Sequence, residues 1–139
     1  MGKVYTTITV TNRIDQANAA SGLLPAEKVR SVTIPNVLMD TGATTLCLPP
    51  EIIQQLGLSF LRRVPVETAG GVRESQVFQD ASIALFGREG SFECLELPGG
   101  RQPLLGVIPM EALGIEPDLR HHTVRVLPQT EQDTFWTIL

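Results

Sequence analysis

Residues Val37–Thr44 read VLMDTGAT, a pattern typical of a buried strand that carries an acidic residue into a tight turn. Gly42 lacks a Cβ and can therefore take a positive φ in the turn at little cost. The hydroxyls of Thr41 and Thr44 can hydrogen-bond nearby backbone groups and stiffen it. Because an unpaired buried charge is costly, Asp40 is poor core material. The pattern predicts that Asp40 faces a cleft, which makes it the first candidate for a functional residue.

The composition is that of one globular domain covering residues 1–139. Its residues are 42% hydrophobic and 19% charged, which suits a packed core and argues against disorder. The net charge of −4 gives no electrostatic signature for binding nucleic acid. No apolar run approaches the roughly 20 residues needed to cross a bilayer. We therefore expect neither nucleic acid nor a membrane as a partner.

The cysteines and histidines give no sign of a metal or of another cofactor. Cys47 and Cys94 are far apart in sequence, so they form neither a metal-ligand spacing nor a disulfide framework. Cys47 lies in an apolar run and is interpreted as a small buried side chain. Adjacent His121 and His122 point to opposite faces if they lie on a strand, which makes them a poor ligand pair. A reducing cytoplasm is the expected compartment.

Many short β-branched or alternating segments predict strands, and only two segments predict helices. One short helix follows Pro50 and ends at Gly57, and the other follows Pro109 and ends at Gly114. Residues 13–25 are polar and rich in small side chains, and are expected to form a loop or a wide hairpin. These elements predict an all-β fold, a closed β-barrel with two short helices. The predicted strands are Lys3–Asn12, Lys28–Pro35, Val37–Met39, Leu46–Leu48, Phe60–Thr68, Val72–Phe78, Ala81–Phe86, Ser91–Leu97, Val124–Leu127 and Phe135–Leu139. Leu104–Ile108 is a further apolar run before the second helix.

The segments on either side of Ala69, Gly70 and Gly71 predict a hairpin with a glycine-rich tip. Both arms carry several polar residues near the tip, so we do not expect the hairpin to be packed on both faces. We expect it to project over another part of the molecule.

The turn at Asp40, the glycine-tipped hairpin and Leu104-Leu105-Gly106 before a short helix occur in the order seen in one family. The chain resembles the retropepsin-like aspartic proteases from about Val4 to about Leu127, and looks most like their bacterial single-domain members. The resemblance implies that Asp40 is catalytic. It further implies that Thr41, Gly42, Ala43 and Thr44 complete its turn, that Ala69, Gly70 and Gly71 form the tip of a flap over substrate, and that Leu104, Leu105 and Gly106 brace the active-site loop.

The family's mechanism requires two carboxylates that share one proton. This chain has one Asp-Thr-Gly, and Asp133-Thr134 is followed by Phe135, which cannot form the same turn. The resemblance therefore implies a homodimer in which a second copy supplies the second Asp40, with a protein or peptide as substrate and no cofactor. Retroviral relatives dimerise partly through their chain ends. The candidates for that role here are Val4–Thr11 near the start of the chain and Phe135–Leu139 within a C-terminal tail at residues 128–139.

Ala43 stands where pepsin-type enzymes commonly carry serine. A serine hydroxyl would stabilise the ionised carboxylate, and Ala43 has none. We therefore expect activity at mildly acidic to neutral pH.

Two other readings of the sequence remain open. The same fold could serve as a peptide-binding or dimerisation module without catalysis, and the hairpin indeed lacks an aromatic residue at its tip. A small barrel that binds a hydrophobic ligand is the third possibility, but it leaves Asp40 unexplained.

Overall fold

A computed structural model describes residues 2–97, 99 and 102–128 of the chain. Its strands are β1 (Tyr5–Asn12), β2 (Ser31–Met39), β3 (Leu46–Leu48), β4 (Ser59–Thr68), β5 (Gly71–Leu85), β6 (Arg88–Glu96), β7 (Leu104–Leu105), β8 (Ile115–Asp118) and β9 (Thr123–Val126). Its α-helices are α1 (Arg13–Ala20), α2 (Pro50–Leu56) and α3 (Val107–Leu113), and a 3-10 helix covers Ala26–Lys28. None of the helices in this part of the chain is long and apolar enough to cross a membrane.

Six of the strands close into a ring in the order β1-β2-β7-β3-β6-β5, because β5 pairs back onto β1. Alternate side chains of these strands meet inside the ring and form one core, for example Ile8, Val10, Leu46, Ile83 and Leu105. β4 lies outside the ring and pairs with β5. The predicted β-rich fold class is confirmed, and the closed ring of strands agrees with the predicted barrel. The described residues contain three α-helices where the sequence predicts two.

β2 runs without a break through Pro35 and Asn36, where the sequence predicts an interruption. Thr6 pairs with Val37 and Ile8 pairs with Ile34, so two residues of β2 stand opposite Thr7. This is a β-bulge, and Asn36 takes the left-handed conformation there with φ of 58°. Beyond the bulge, Val37 and Leu38 are again paired with β1, and Asp40 follows directly after the end of β2.

The predicted loop or wide hairpin at residues 13–25 is wrong over residues 13–20, which form α1. The side chain of Asn12 accepts the backbone N–H of Asp15 at 3.0 Å and so caps the helix. Asp15 is buried, and its carboxylate accepts Nε of Arg30 at 2.8 Å and the backbone N–H of Arg30 at 3.0 Å. A tertiary ion pair thus stabilises a segment whose weak apolar pattern does not predict a helix.

Other boundaries also differ from the sequence predictions. Helix α2 and its left-handed Gly57 (φ of 63°) are confirmed, but α3 begins at Val107 instead of after Pro109. The two predicted strands Val72–Phe78 and Ala81–Phe86 are one long strand, β5. β8 is not predicted, and it pairs with β9. Phe135–Leu139 and all but the first residue of the tail lie outside the described residues.

Asp15 makes the stability of the fold depend on pH. Hydrogen bonds from Arg30 hold the pKa of Asp15 below its ordinary value. A carboxylate whose pKa falls on folding adds stability above its unfolded pKa of about 3.9, and that stability is lost as pH falls through the folded pKa. We expect Asp15→Asn to lower the free energy of unfolding at pH 7 by about 1–3 kcal/mol, as for other truncated buried hydrogen bonds. The loss should shrink in acid, below pH 4.

Urea unfolding of both proteins between pH 7 and pH 2 measures this. Glu27→Gln, at an exposed position of the 3-10 helix, is the control and should change stability little. An Asp15→Asn deficit that stays constant down to pH 2 would contradict the assignment.

Candidate active site

Asp40 lies where β2 leaves the sheet, and the backbone holds it from both sides. Met39 donates its N–H to the carbonyl of Val4 at 2.9 Å, and Asp40 donates its own to the carbonyl of Leu105 at 3.0 Å. β2 and β7 run parallel here, with Leu38 and Met39 opposite Leu104 and Leu105. The carboxylate is half-buried and lines a cleft, as the sequence predicts.

The turn after Asp40 is closed by the carboxylate itself. The N–H of Gly42 donates to Oδ1 of Asp40 at 2.8 Å, and the N–H of Ala43 donates to the Asp40 carbonyl at 3.1 Å. Gly42 is needed for a different reason than the sequence suggests, because its φ is not positive. A Cβ at this position would lie 3.2 Å from Oδ1 of Asp40. A side chain here would therefore crowd the carboxylate it turns around.

The hydroxyls of Thr41 and Thr44 do not stiffen the turn as predicted, since neither forms a hydrogen bond within the described residues. The turn is held through its carbonyls instead: the N–H groups of Val107 and Ile108 donate to the carbonyls of Ala43 and Thr44 at 2.9 and 3.0 Å. The first N–H groups of a helix have no partner within the helix. The start of α3 and the turn thus satisfy each other.

Gly106 locks these two segments together, and the structure places Leu104-Leu105-Gly106 against the turn as predicted. The N–H of Gly106 donates to the carbonyl of Thr45 at 3.0 Å. A Cβ on Gly106 would lie 2.5 Å from the carbonyl oxygen of Ala43 and 2.6 Å from both the nitrogen and the carbonyl oxygen of Thr45. Only glycine lets α3 approach this closely.

A cleft of about 1200 Å³ lies between the turn, β6 and the β4–β5 hairpin. Its floor follows one row of paired residues across five strands: Arg62 of β4, Val77 of β5, Leu95 of β6, Cys47 of β3 and Leu104 of β7. All five line the cleft. The floor is therefore apolar in the middle and charged at the β4 end.

The hairpin forms the opposite wall. Val64, Val66 and Thr68 are partly buried and line the cleft, together with Ala69 of the tip. Gly70 and Gly71 are exposed beside them, and Gly71 has φ of 108°. Oγ1 of Thr68 accepts the N–H of Gly70 at 3.2 Å and donates to the carbonyl of Gly71 at 2.7 Å. One threonine therefore ties the tip together.

Two features of the cleft are absent from the sequence analysis. Arg62 and Glu93 form an ion pair, Nη2 to Oε1 at 2.7 Å, and Oγ1 of Thr45 donates to the carbonyl of Glu93 at 2.7 Å. Glu93 lies two residues before the floor residue Leu95, so strand alternation places both on one face. The alternation of side chains along a strand can predict that Glu93 and Leu95 share a face. It cannot predict that Arg62 of β4 lies close enough to pair with Glu93.

Asp40 is the group in the cleft best suited to acid–base chemistry. Among the described residues nothing donates a hydrogen bond to its Oδ2, so one carboxylate oxygen faces the cleft unpaired. Burial, and secondly the negative charge of Asp40, raises the pKa of the Cys47 thiol to about 12. That thiol stays protonated at ordinary pH and is a poor nucleophile. The carboxylate of Glu93 is held by Arg62.

The fold is similar to that of the solved structure of EIAV protease complexed with the inhibitor HBY-793. The two share 20% sequence identity over 84% of this chain and 93% of that chain, with a TM-score of 0.53. No curated protein sequence matches the chain significantly.

The sequence itself matches a known family between residues 28 and 114, which is more than half of the chain. The matched region contains the Asp40 turn, the hairpin, Leu104-Leu105-Gly106 and α3. This chain, with its retropepsin-like fold, belongs to the family of gag-polyprotein putative aspartyl proteases.

Proposed function

We propose that the protein is an aspartic endopeptidase that acts as a homodimer, with Asp40 of each copy as a catalytic residue. The observation that carries the proposal is the unpaired oxygen of a half-buried Asp40 at a cleft, on a turn braced by Gly106. Asp40 is the one aspartate among the described residues that line the cleft. Two glutamates in this part of the chain also line the cleft, but Glu93 is paired with Arg62 and Glu67 is exposed on the hairpin. We therefore assign the second carboxylate to Asp40 of a second copy, since C2 pairing is the commonest symmetry of oligomers.

On a two-fold axis the two Asp40 carboxylates would share one proton, the arrangement known for aspartic proteases as a class. At about 3 Å separation both cannot ionise. The ionised carboxylate takes a proton from water as the water attacks the peptide carbonyl carbon, and the protonated one donates to the carbonyl oxygen. The resulting tetrahedral intermediate collapses when the C–N bond breaks. The departing nitrogen takes the proton that the first carboxylate received from water, and a hydroxyl of the intermediate returns a proton to the second carboxylate as the new C=O forms.

The shape of the cleft supports an extended peptide as substrate. An extended chain can add to exposed sheet edges and place alternate side chains in pockets. The apolar middle of the floor, formed by Val77, Leu95, Cys47 and Leu104, suits apolar side chains of the substrate. We propose that the β4–β5 hairpin is the flap that covers the peptide, because its partly buried face forms the opposite wall.

The dimer interface lies around the Asp40 turns, since the axis passes between them. The predicted interface strand Val4–Thr11 offers less than the sequence suggests. Thr9–Asn12 pairs on one edge with β5, and Thr9–Thr11 pairs on the other with β2. Only the first part of β1 has an edge free of these pairings. Cys47 and Cys94 are both free and buried, and we propose the reducing cytoplasm as the site of action.

Cleavage of an unstructured protein between pH 3 and pH 8, with the molecular mass in solution read alongside, tests the proposal. We expect cleavage by a dimer, with an optimum at mildly acidic to neutral pH because Ala43 offers no hydroxyl to Asp40. A folded dimer that cleaves nothing at any pH would favour the peptide-binding module. A monomer under all conditions would refute the shared site.

A further inference from the structure

The free end of the flap hairpin (Arg62–Val77) is held to the rest of the molecule by few contacts. Backbone pairing between β5 and β6 begins at Val77, opposite Leu95. Beyond that point the described residues of β5 pair with β4 alone, and β4 pairs only with β5. Val72 near the tip is 72% exposed. The row Arg62–Val77–Leu95 is therefore the place where the hairpin can pivot over the cleft.

Among the described residues, two side chains at or beyond the pivot row hydrogen-bond to β6. Oγ of Ser75 donates to the carbonyl of Glu96 at 2.5 Å. Arg62 reaches past Val77 to Glu93, with Nη2 at 2.7 Å from Oε1 and Nη1 at 3.4 Å from Oε2. Ser75 therefore connects β5 of the hairpin to β6, and Arg62 connects β4 to β6.

Glu93 is itself connected to the active-site turn. Its carbonyl accepts Oγ1 of Thr45 at 2.7 Å, and the carbonyl of Thr45 accepts the N–H of Gly106 at 3.0 Å. The contacts therefore run from Arg62 through Glu93 and Thr45 to the glycine that braces the Asp40 turn. The hairpin is therefore connected by hydrogen bonds to the same segment, Thr45 and Gly106, that holds the Asp40 turn in place.

We propose that Arg62 and Glu93 are positioning residues whose ion pair holds the flap hairpin over the cleft floor and so sets how readily substrate binds. Both side chains are about half exposed, at 52% and 43%. An exposed pair adds little to global stability, because solvent screens it. Because the hairpin pivots at a single row, a small free-energy difference is enough to shift it between open and closed positions. An ion pair of this strength changes the ratio of the open to the closed position by about two- to fivefold.

The neighbouring pair of Arg63 and Glu74 provides a matched control. Their side chains lie 3.6 Å apart and are both exposed. Both residues belong to the hairpin, on β4 and β5, so their contact does not cross the pivot. Arg63→Gln therefore removes the same charge one residue away without releasing the hairpin from β6.

The first test is backbone hydrogen exchange of the substrate-free protein, which needs no catalysis. We expect Arg62→Gln and Glu93→Gln each to raise amide exchange about two- to fivefold at the end of the β5–β6 ladder, around Val77 and Leu95, because pivoting separates the two strands there. The pairing of β4 with β5 moves with the hairpin and should keep its protection, and Arg63→Gln should leave the protection at the pivot row unchanged. The charge-swapped double variant Arg62→Glu/Glu93→Arg should restore protection, because it restores an attractive pair. Unchanged exchange in both single variants, or no rescue by the swap, would refute the proposal.

The second test is kinetic and rests on the proposed protease function. With a neutral peptide substrate, the single variants should raise KM about two- to fivefold with a smaller change in kcat, and the effect should fade at 0.5 M salt, where exposed pairs are screened. Effects confined to charged peptides and not rescued by the swap would show that Arg62 contacts substrate directly, which overturns the proposal. If the protein proves inactive, the exchange result still decides whether the tie exists.

Discussion

Asp40→Asn is expected to lower peptide cleavage by about 10²–10⁴-fold, the usual contribution of a positioned acid or base. Asparagine has nearly the same size, and its amide oxygen can still accept the N–H of Gly42 that closes the turn at 2.8 Å in the native protein. It cannot take a proton from water at ordinary pH. The loss should therefore appear in kcat, while the folded dimer persists.

Mixing the two proteins gives a sharper test of the shared site. If each active dimer needs two aspartates, an equimolar mixture that exchanges subunits contains about one quarter active dimers, following the statistics of a C2 pair. A site complete within one chain would instead retain about one half of the activity. A linear dependence on the wild-type fraction would contradict the two-aspartate mechanism, even if Asp40 itself proves essential.

Asp80→Asn is the control for the same chemical change elsewhere. Asp80 has φ of 64° and does not line the cleft. Asparagine adopts this left-handed conformation as readily as aspartate. We expect activity and stability close to those of the wild type. If Asp40→Asn still cleaved substantially while Asp80→Asn behaved like the wild type, Asp40 would not be a catalytic residue.

The candidate site was predictable because its signals are local. An apolar strand, an acidic turn and Leu104-Leu105-Gly106 are each contiguous, and the resemblance to a family joins them. The reasons why particular positions of the site must be glycine could not be predicted from the sequence. The need for Gly42 and Gly106 comes from atoms that approach them, Oδ1 of Asp40 and the backbone of Ala43 and Thr45. The contact of Gly42 with Asp40 depends on the conformation of the turn, and the contacts of Gly106 depend on the packing of a segment distant in sequence. Neither leaves a periodic trace in the sequence.

The same distinction explains the errors in the fold. Helix α1 depends on Arg30, fifteen residues from Asp15 along the chain, and its own apolar pattern is weak. β2 continues through Pro35 because a bulge opposite Thr7 absorbs the extra residue. α2, by contrast, carries its start and stop signals within itself at Pro50 and Gly57, and the sequence predicts both of its ends.

Gly106→Ala is expected to lower the free energy of unfolding by about 2–3 kcal/mol and cleavage by about tenfold or more. The added methyl would lie 2.5–2.6 Å from backbone atoms of Ala43 and Thr45, which cannot rotate away as a side chain would. Overpacking of this kind costs about 1–3 kcal/mol. Relief requires α3 to move away from the turn, which weakens the bonds from Val107 and Ile108 to its carbonyls. Because displacement of a catalytic group by about 1 Å can cost 10²-fold in rate, activity should suffer beyond what the unfolded fraction explains.

Urea unfolding and cleavage by the folded fraction separate these two effects, with Gly70→Ala as the control for stability. A Cβ on Gly70 would meet nothing closer than Oγ1 of Thr68 at 3.9 Å, and its φ is not positive. Gly70→Ala should therefore shift stability by about 0.5 kcal/mol at most, as expected for a surface substitution. If Gly106→Ala were equally mild, the close approach of α3 would not be what holds the turn. If it unfolded easily but cleaved normally while folded, Gly106 would support the fold without positioning Asp40.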